Sequence, residues 1–139
     1  MNLAEFLIDV AINTNATVRI ASSRLNLTAS QAFHLLSIPF DGISMSNLAH
    51  KLGLDTSTLT RNVQVLARRG LVDRRPDYYD KRVIRLVLTS EGSKLLKSLE
   101  ELLEDKNREV LEKIDLDVQE NLLTVLEKLS WALNCSRGQ

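Results

Sequence analysis

Apolar side chains recur at helical spacing from Leu3 to Leu25, through Leu7, Val10, Ala11, Val18 and Ala21, with no glycine or proline between them. That repeat puts the positions on one face, so the pattern predicts an amphipathic helix over residues 3–25. Thr28 followed by Gln31 is a capping box, in which each side chain satisfies a backbone N–H of the other residue. A second helix is therefore expected over residues 29–37, ended by Pro39 and Asp41-Gly42. Ser44 caps a short helix that carries Leu48, Ala49 and Leu52 and stops at Gly53. Asp55 then caps a helix with Leu59, Val63 and Leu66 on one face, which stops at Gly70. Two short helices across a tight Gly-Leu connection predict a helix-turn-helix.

After Gly70 the period changes. Residues 71–75 and 83–88 are short β-rich strips, joined by a loop over 76–82 that starts at Pro76. In the second strip Ile84, Leu86 and Leu88 share one face and Val83, Arg85 and Val87 the other. The first is too short and too charged for its inner face to be assigned. A helix-turn-helix followed at once by a hairpin predicts a winged helix.

The helical period then resumes. A long helix is expected from Thr89 to Ile114, through Leu95, Leu99, Leu102 and Val110, with Lys106 interrupting the stripe. Asp117 as N-cap with Glu120 three residues later is a second capping box, opening a last helix over 117–135. Its stripe of Val118, Leu122, Val125, Leu129 and Ala132, with Leu123, Leu126 and Leu133 beside it, is broader than one contact needs. The expected fold is mainly α with a small β-hairpin wing. It forms one domain over 1–139, with a winged-helix lobe at 28–92 between helical segments 1–27 and 93–139. Two readings of those terminal helices stand open. They form a layer on a monomer, or they interdigitate with a second copy in a homodimer, which suits half-sites about one duplex turn apart (~34–36 Å).

Zero net charge argues against a nucleic-acid partner until the charges are placed along the chain. Residues 44–92 hold nine basic and five acidic side chains, whereas 93–139 hold seven basic and ten acidic, and 1–43 two and three. The middle segment is the basic one, and phosphate contacts are made by one face. A single cysteine, Cys135, excludes an internal disulfide framework and a cysteine-built zinc site. It reads as an inert thiol. His34 and His50 have no clustered partner, so no metal is expected. The start of the chain lacks a signal peptide and no apolar run reaches the ~20 residues of a membrane span. The reading is a cytoplasmic, soluble protein. No phosphate-binding glycine loop or nucleophile–base motif is present, so an enzyme is not expected and no cofactor is called for.

On the helix after Asp55, the face opposite Leu59, Val63 and Leu66 presents Thr56, Ser57, Thr60, Arg61 and Gln64. Arg61 suits a guanine edge and Gln64 an adenine edge in a major groove. The plainer reading of the same face is an ordinary solvated one. On the hairpin, Lys81 and Arg82 sit where a loop tip reaches a minor groove. Asp80, with Arg74 or Arg75 on the facing strand, is placed to brace the tip by ion pairing. The plainer alternative is a merely charged hairpin.

Residues 27–92 resemble the multiple-antibiotic-resistance regulator (MarR) family of bacterial and archaeal transcription factors. The resemblance is carried by "LTASQAFHLL", "MSNLAHKLGLDTSTLTRNVQVLARRGLVDR", "DKR" and "LTSEG" in that order and spacing. It implies an obligate homodimer on palindromic double-stranded operators, most members being repressors released by a small, often anionic or phenolic effector. It aligns Thr56, Ser57, Thr58 and Arg61 with the recognition-helix positions, Arg82 with the wing arginine, and Asp80 and Arg74 with the bracing pair. Arg19, Phe33 and His34 lie near where the family's ligands bind, Arg19 to pair a carboxylate and Phe33 to stack on a ring or simply to fill the core. The first helix has no cysteine of the kind through which some members sense oxidants. The competing class is a winged-helix protein-interaction module without DNA readout.

Overall fold

Leu35, Leu48, Leu59, Leu66 and Leu86 are sealed from solvent in the computed structural model, which describes residues 1–138. They come from helices α2 (Ala29–Leu36), α3 (Met45–Leu52) and α4 (Thr56–Arg68) and from strand β3 (Ile84–Leu88), and together they form the winged-helix core. The caps expected for α2, α3 and α4 make their bonds. Thr28 Oγ1 accepts from Gln31 N–H while Gln31 Oε1 accepts from Thr28 N–H, both at 3.0 Å. Ser44 Oγ accepts from Asn47 N–H at 3.1 Å. Between α3 and α4 the chain reverses at Gly53, whose φ of 68° is left-handed, and Leu54 N–H returns to the Ala49 carbonyl at 2.9 Å. A side chain there would strain that turn.

Strand β2 (Val72–Pro76) pairs antiparallel with β3, Val72 opposite Leu88 and Pro76 opposite Ile84. A third strand, β1 (Ile43–Ser44), pairs with the other edge of β3 and gives the order β1-β3-β2. The sequence pattern does not predict β1, because two residues cannot display a period. The face predicted for Ile84, Leu86 and Leu88 also divides. Leu86 is sealed, Leu88 half-buried and Ile84 49 % exposed, because Ile84 lies at the loop end of the hairpin and outside the buried cluster.

Helix α5 (Ser90–Leu111) opens on a lock between three segments. Thr89 Oγ1 donates to the Gly70 carbonyl at 2.6 Å and accepts from Gly92 N–H at 3.0 Å, while Thr89 N–H donates to the Leu71 carbonyl at 3.1 Å. A Cβ on Gly92 would overlap the Leu71 carbonyl oxygen, so the first turn of α5 can pack here only without a side chain. Behind α2 a second cluster joins Val18 and Ala21 of α1 (Leu3–Ser23) to Ala29, Ala32 and Leu99. The alanines let the backbones approach. The first half of α1 has no such cover, and Leu3, Phe6, Ile8, Val10 and Ile12 are all more than half exposed.

Met1–Leu103 forms one compact unit, and the chain from Glu104 onward forms another. In the second unit α5 ends at Leu111, three residues before the expected end, and α6 (Leu116–Arg137) begins with Asp115 in the N-cap position. The capping box expected at Asp117 and Glu120 is not formed; Asp117 lies inside the first turn. The cause is Gln119, whose Nε2 donates at 2.6 Å to the carbonyls of both Leu111 and Ile114 and so caps the helix before it. The Asp115 carbonyl then takes the N–H groups of Val118 and Gln119, which starts α6 early. Leu116, Leu123, Val125 and Trp131 of α6 stand largely in solvent.

Replacing Leu86 with Ala is expected to cost about 2–5 kcal/mol in urea unfolding, since it empties a sealed site. Ile84→Ala, from the same strand, is expected to cost no more than about 1 kcal/mol because half its surface is already in water. Equal losses would mean that Ile84 is core.

Candidate nucleic-acid interface

Helix α4 is fixed from behind and open in front. Leu59, Val63 and Leu66 are buried at helical spacing, while Thr56, Ser57, Arg61 and Gln64 are exposed and Thr58 and Thr60 half-buried. Asp55 caps it, accepting from Thr58 N–H at 2.7 Å. That backbone bond, then the Thr58 side chain, with a smaller contribution from the Arg61 charge, holds the Asp55 carboxyl below the usual aspartate range. Thr60 donates its hydroxyl to the Thr56 carbonyl at 2.8 Å, and Arg61 reaches back to Thr58 Oγ1 at 3.4 Å. These local bonds tie the polar side chains to their own helix and leave Ser57, Arg61 and Gln64 facing solvent.

His34 carries α4 on α2. It is 3 % exposed, with Nδ1 2.6 Å from the Ser30 carbonyl and Nε2 3.1 Å from Asn62 Nδ2. A carbonyl only accepts, so the hydrogen sits on Nδ1 and Nε2 accepts from the Asn62 amide. Both ring nitrogens are engaged in a link between helices. A second link runs from Arg69 to Gln31 Oε1 at 3.2 Å. The three ligand candidates are not gathered into one pocket. His34 lines a cleft with Gln31 and Asn62, whereas Arg19 lines an open groove along α1, bonded to Asn15 Oδ1 at 3.3 Å. Phe33 packs against the alanine cluster.

The wing pairs its charges differently from the arrangement expected. Asp80 meets neither Arg74 nor Arg75 but Arg82 itself, accepting from Nε at 3.0 Å, from a terminal guanidinium nitrogen at 3.1 Å and from the Arg82 N–H at 3.1 Å. The Arg82 side-chain bond, then its backbone bond, lowers the Asp80 carboxyl, and the same contact raises the guanidinium. Arg82 remains 91 % exposed, so the carboxylate aims it without covering it. Arg75 pairs with Asp73 on its own strand at 3.4 Å, and Arg74 and Lys81 are exposed. The register explains this. Arg75 sits opposite Arg85 across the ladder, and opposed like charges destabilise a sheet. Each therefore takes its own aspartate.

The brace is Asp77 with Arg85, two residues that the sequence reading did not include in the site. Asp77 Oδ2 accepts from Tyr79 N–H at 3.1 Å and Asp80 N–H at 3.2 Å, while Oδ1 accepts from Arg85 at 3.2 Å. Arg85 also donates to the carbonyls of Asp41 at 3.2 Å and Gly42 at 3.4 Å, tying the wing to the loop before β1. A charged residue inside an otherwise aliphatic strand was the available signal.

An exposed helix seated on a helix-turn-helix core, beside a hairpin with an aimed arginine, defines a winged helix-turn-helix protein. The family model described as "MarR family" matches residues 24–83. The chain is 27 % identical over 125 residues to YdgJ of Bacillus subtilis, an uncharacterized HTH-type transcriptional regulator, covering 90 % of this chain and 73 % of that one. It superposes on apo MarR from E. coli with a TM-score of 0.79 at 27 % identity, covering 93 % of this chain and 96 % of the other. A mutant MarR from E. coli complexed with operator DNA matches with a TM-score of 0.75, again at 27 % identity, over 91 % and 92 % of the two chains. Over residues 24–83 the chain is similar to the MarR family, and its fold is that of the MarR winged-helix proteins. Among the described residues, no helix is long and apolar enough to cross a membrane.

The Asp80–Arg82 contact sets a pH dependence. A carboxyl lowered by folding contributes stability above its unfolded value and loses it as pH falls through the folded one. The Arg82 Nε–H resonance is therefore expected to titrate with a midpoint below the ordinary aspartate value and to sit at its displaced position at every pH in Asp80→Asn. A midpoint at or above the ordinary value would contradict the pairing.

Proposed function

We propose that the protein is a homodimeric, sequence-specific repressor that binds palindromic operators in double-stranded DNA in the cytoplasm and has no enzymatic role. The observation that carries this reading is the pairing of an exposed polar α4 face with a wing whose arginine is aimed outward by its own aspartate. Thr56, Ser57, Thr58, Thr60, Arg61 and Gln64 meet the major groove, with Arg61 and Gln64 reading base edges. Arg82 enters the minor groove, where narrow width favours a guanidinium, and Lys81, Arg74 and Arg75 add phosphate contacts. The E. coli complex with operator DNA supports a DNA partner by similarity.

Residues 28–92 act as the DNA-binding lobe, and 1–27 with 93–139 as the dimerisation region. The exposed Leu3, Phe6, Ile8, Leu123 and Trp131 give that region its apolar surface. Release comes from a small anionic or phenolic effector that prefers a spacing of the two α4 helices unsuited to the operator. A full swing between the states takes about 5.5 kcal/mol of differential binding. Arg19 is the exposed cation for such a ligand, and Phe33 of α2 is the ring proposed to stack on it. His34 takes part by holding α4, since both its nitrogens are engaged.

Selection from a random duplex library tests the reading. The wild type is expected to enrich an inverted repeat with half-site centres about one turn (~34–36 Å) apart. Arg82→Ala is expected to weaken all sites while circular dichroism stays unchanged, and Arg61→Ala to lose ~1–3 kcal/mol of discrimination at one base pair. No enrichment at low salt would remove DNA readout and favour a protein-docking winged helix.

A further inference from the structure

Both tyrosines of the chain, Tyr78 and Tyr79, stand side by side on the loop between β2 and β3, and aromatic residues make up only 4 % of the sequence. They are 87 % and 92 % exposed, and neither belongs to a buried cluster. Their ring centroids lie 5.0 Å apart with the planes at 84°. The backbone beneath them is already ordered. Asp77 holds the N–H groups of Tyr79 and Asp80, while Asp77 N–H donates to the Val83 carbonyl at 2.8 Å and Val83 N–H to the Asp80 carbonyl at 2.9 Å. Both carboxylates of the loop are engaged, Asp77 in these bonds and with Arg85, and Asp80 with Arg82, while Lys81 and Arg82 stand exposed and put positive charge at the tip. That charge suits a polyanion.

We infer that Tyr78 and Tyr79 are DNA-backbone contacts flanking Arg82, their rings packed on deoxyribose and their hydroxyls donating to phosphate. The inference rests on the DNA-binding reading above. Tyrosine has the right form for it, an apolar body with a polar end and only two side-chain torsions to order. Tyrosine hydroxyls are regular phosphate donors. Size decides where they sit. Two rings crossed at this spacing are broader than a minor groove about 6 Å wide, which admits one guanidinium. The pair therefore straddles the groove edge while Arg82 enters it.

The test uses full-length protein on its selected operator, with affinity measured at fixed salt and hydroxyl-radical footprints read on the deoxyriboses. Removing the hydroxyls with Tyr78→Phe/Tyr79→Phe is expected to weaken binding by about 2- to 12-fold per hydrogen bond lost, with the footprint kept. Tyr78→Ala/Tyr79→Ala is expected to lose at least tenfold and to lose sugar protection beside the Arg82 site alone. Both rings are exposed, so the fold is expected to be unchanged by circular dichroism. If the wild type binds its operator and both variants match it in affinity and footprint, the tyrosine assignment is overturned while the DNA-binding reading stands. If the wild type binds no duplex, both fail together.

Discussion

The wing loop beyond Pro76 hangs on one guanidinium. Arg85 is two-thirds buried, and it joins the Asp77 carboxylate to the carbonyls of Asp41 and Gly42. Through Asp77 it fixes the N–H groups of Tyr79 and Asp80, and through Asp80 the direction of Arg82. A hairpin tip of this kind would otherwise be the most mobile part of the fold, and mobility would have to be lost again on binding. Gly42 is part of the same device. A Cβ there would press on the Leu86 carbonyl oxygen and the Val87 side chain, so only glycine lets the β1 loop come close enough to receive Arg85. The acidic residues in a basic wing thereby have a physical role. They cannot bind phosphate, but they hold the groups that can.

A second set of links carries the recognition helix. His34–Asn62 and Gln31–Arg69 join α2 to α4, and the Thr89 lock ties the end of α4, the start of β2 and the start of α5. No polar side-chain atom buried among the described residues lacks a partner. A displacement of α2 would therefore reach α4 through specific bonds as well as packing.

Much of this was legible in the sequence because short-range chemistry wrote it there. Thr28 with Gln31, Ser44 and Asp55 each announce a helix start and each makes its bond, and Gly53 and Gly70 mark the stops. The exposed face of α4 followed from the buried one. What stayed hidden depends on partners that only the fold brings together. Strand β1 is too short to have a pattern. The box at Asp117 was displaced by a glutamine that bonds backwards to the preceding helix. Ile84 alternates correctly but outruns the core. In the wing, five basic and three acidic residues within Asp73–Arg85 allow many pairings, and the strand register chooses among them by setting Arg75 against Arg85. His34 met its partner 28 residues away.

The most direct measurement is backbone ¹⁵N relaxation at Tyr79 and Arg82 in the wild type and in Arg85→Met, without DNA. The wild type is expected to give order parameters near ~0.85, as for rigid backbone, and the variant to fall below ~0.6 at both positions while the amides of α4 stay unchanged. Equal values in the two proteins would show that the wing is ordered without Arg85 and would contradict the account.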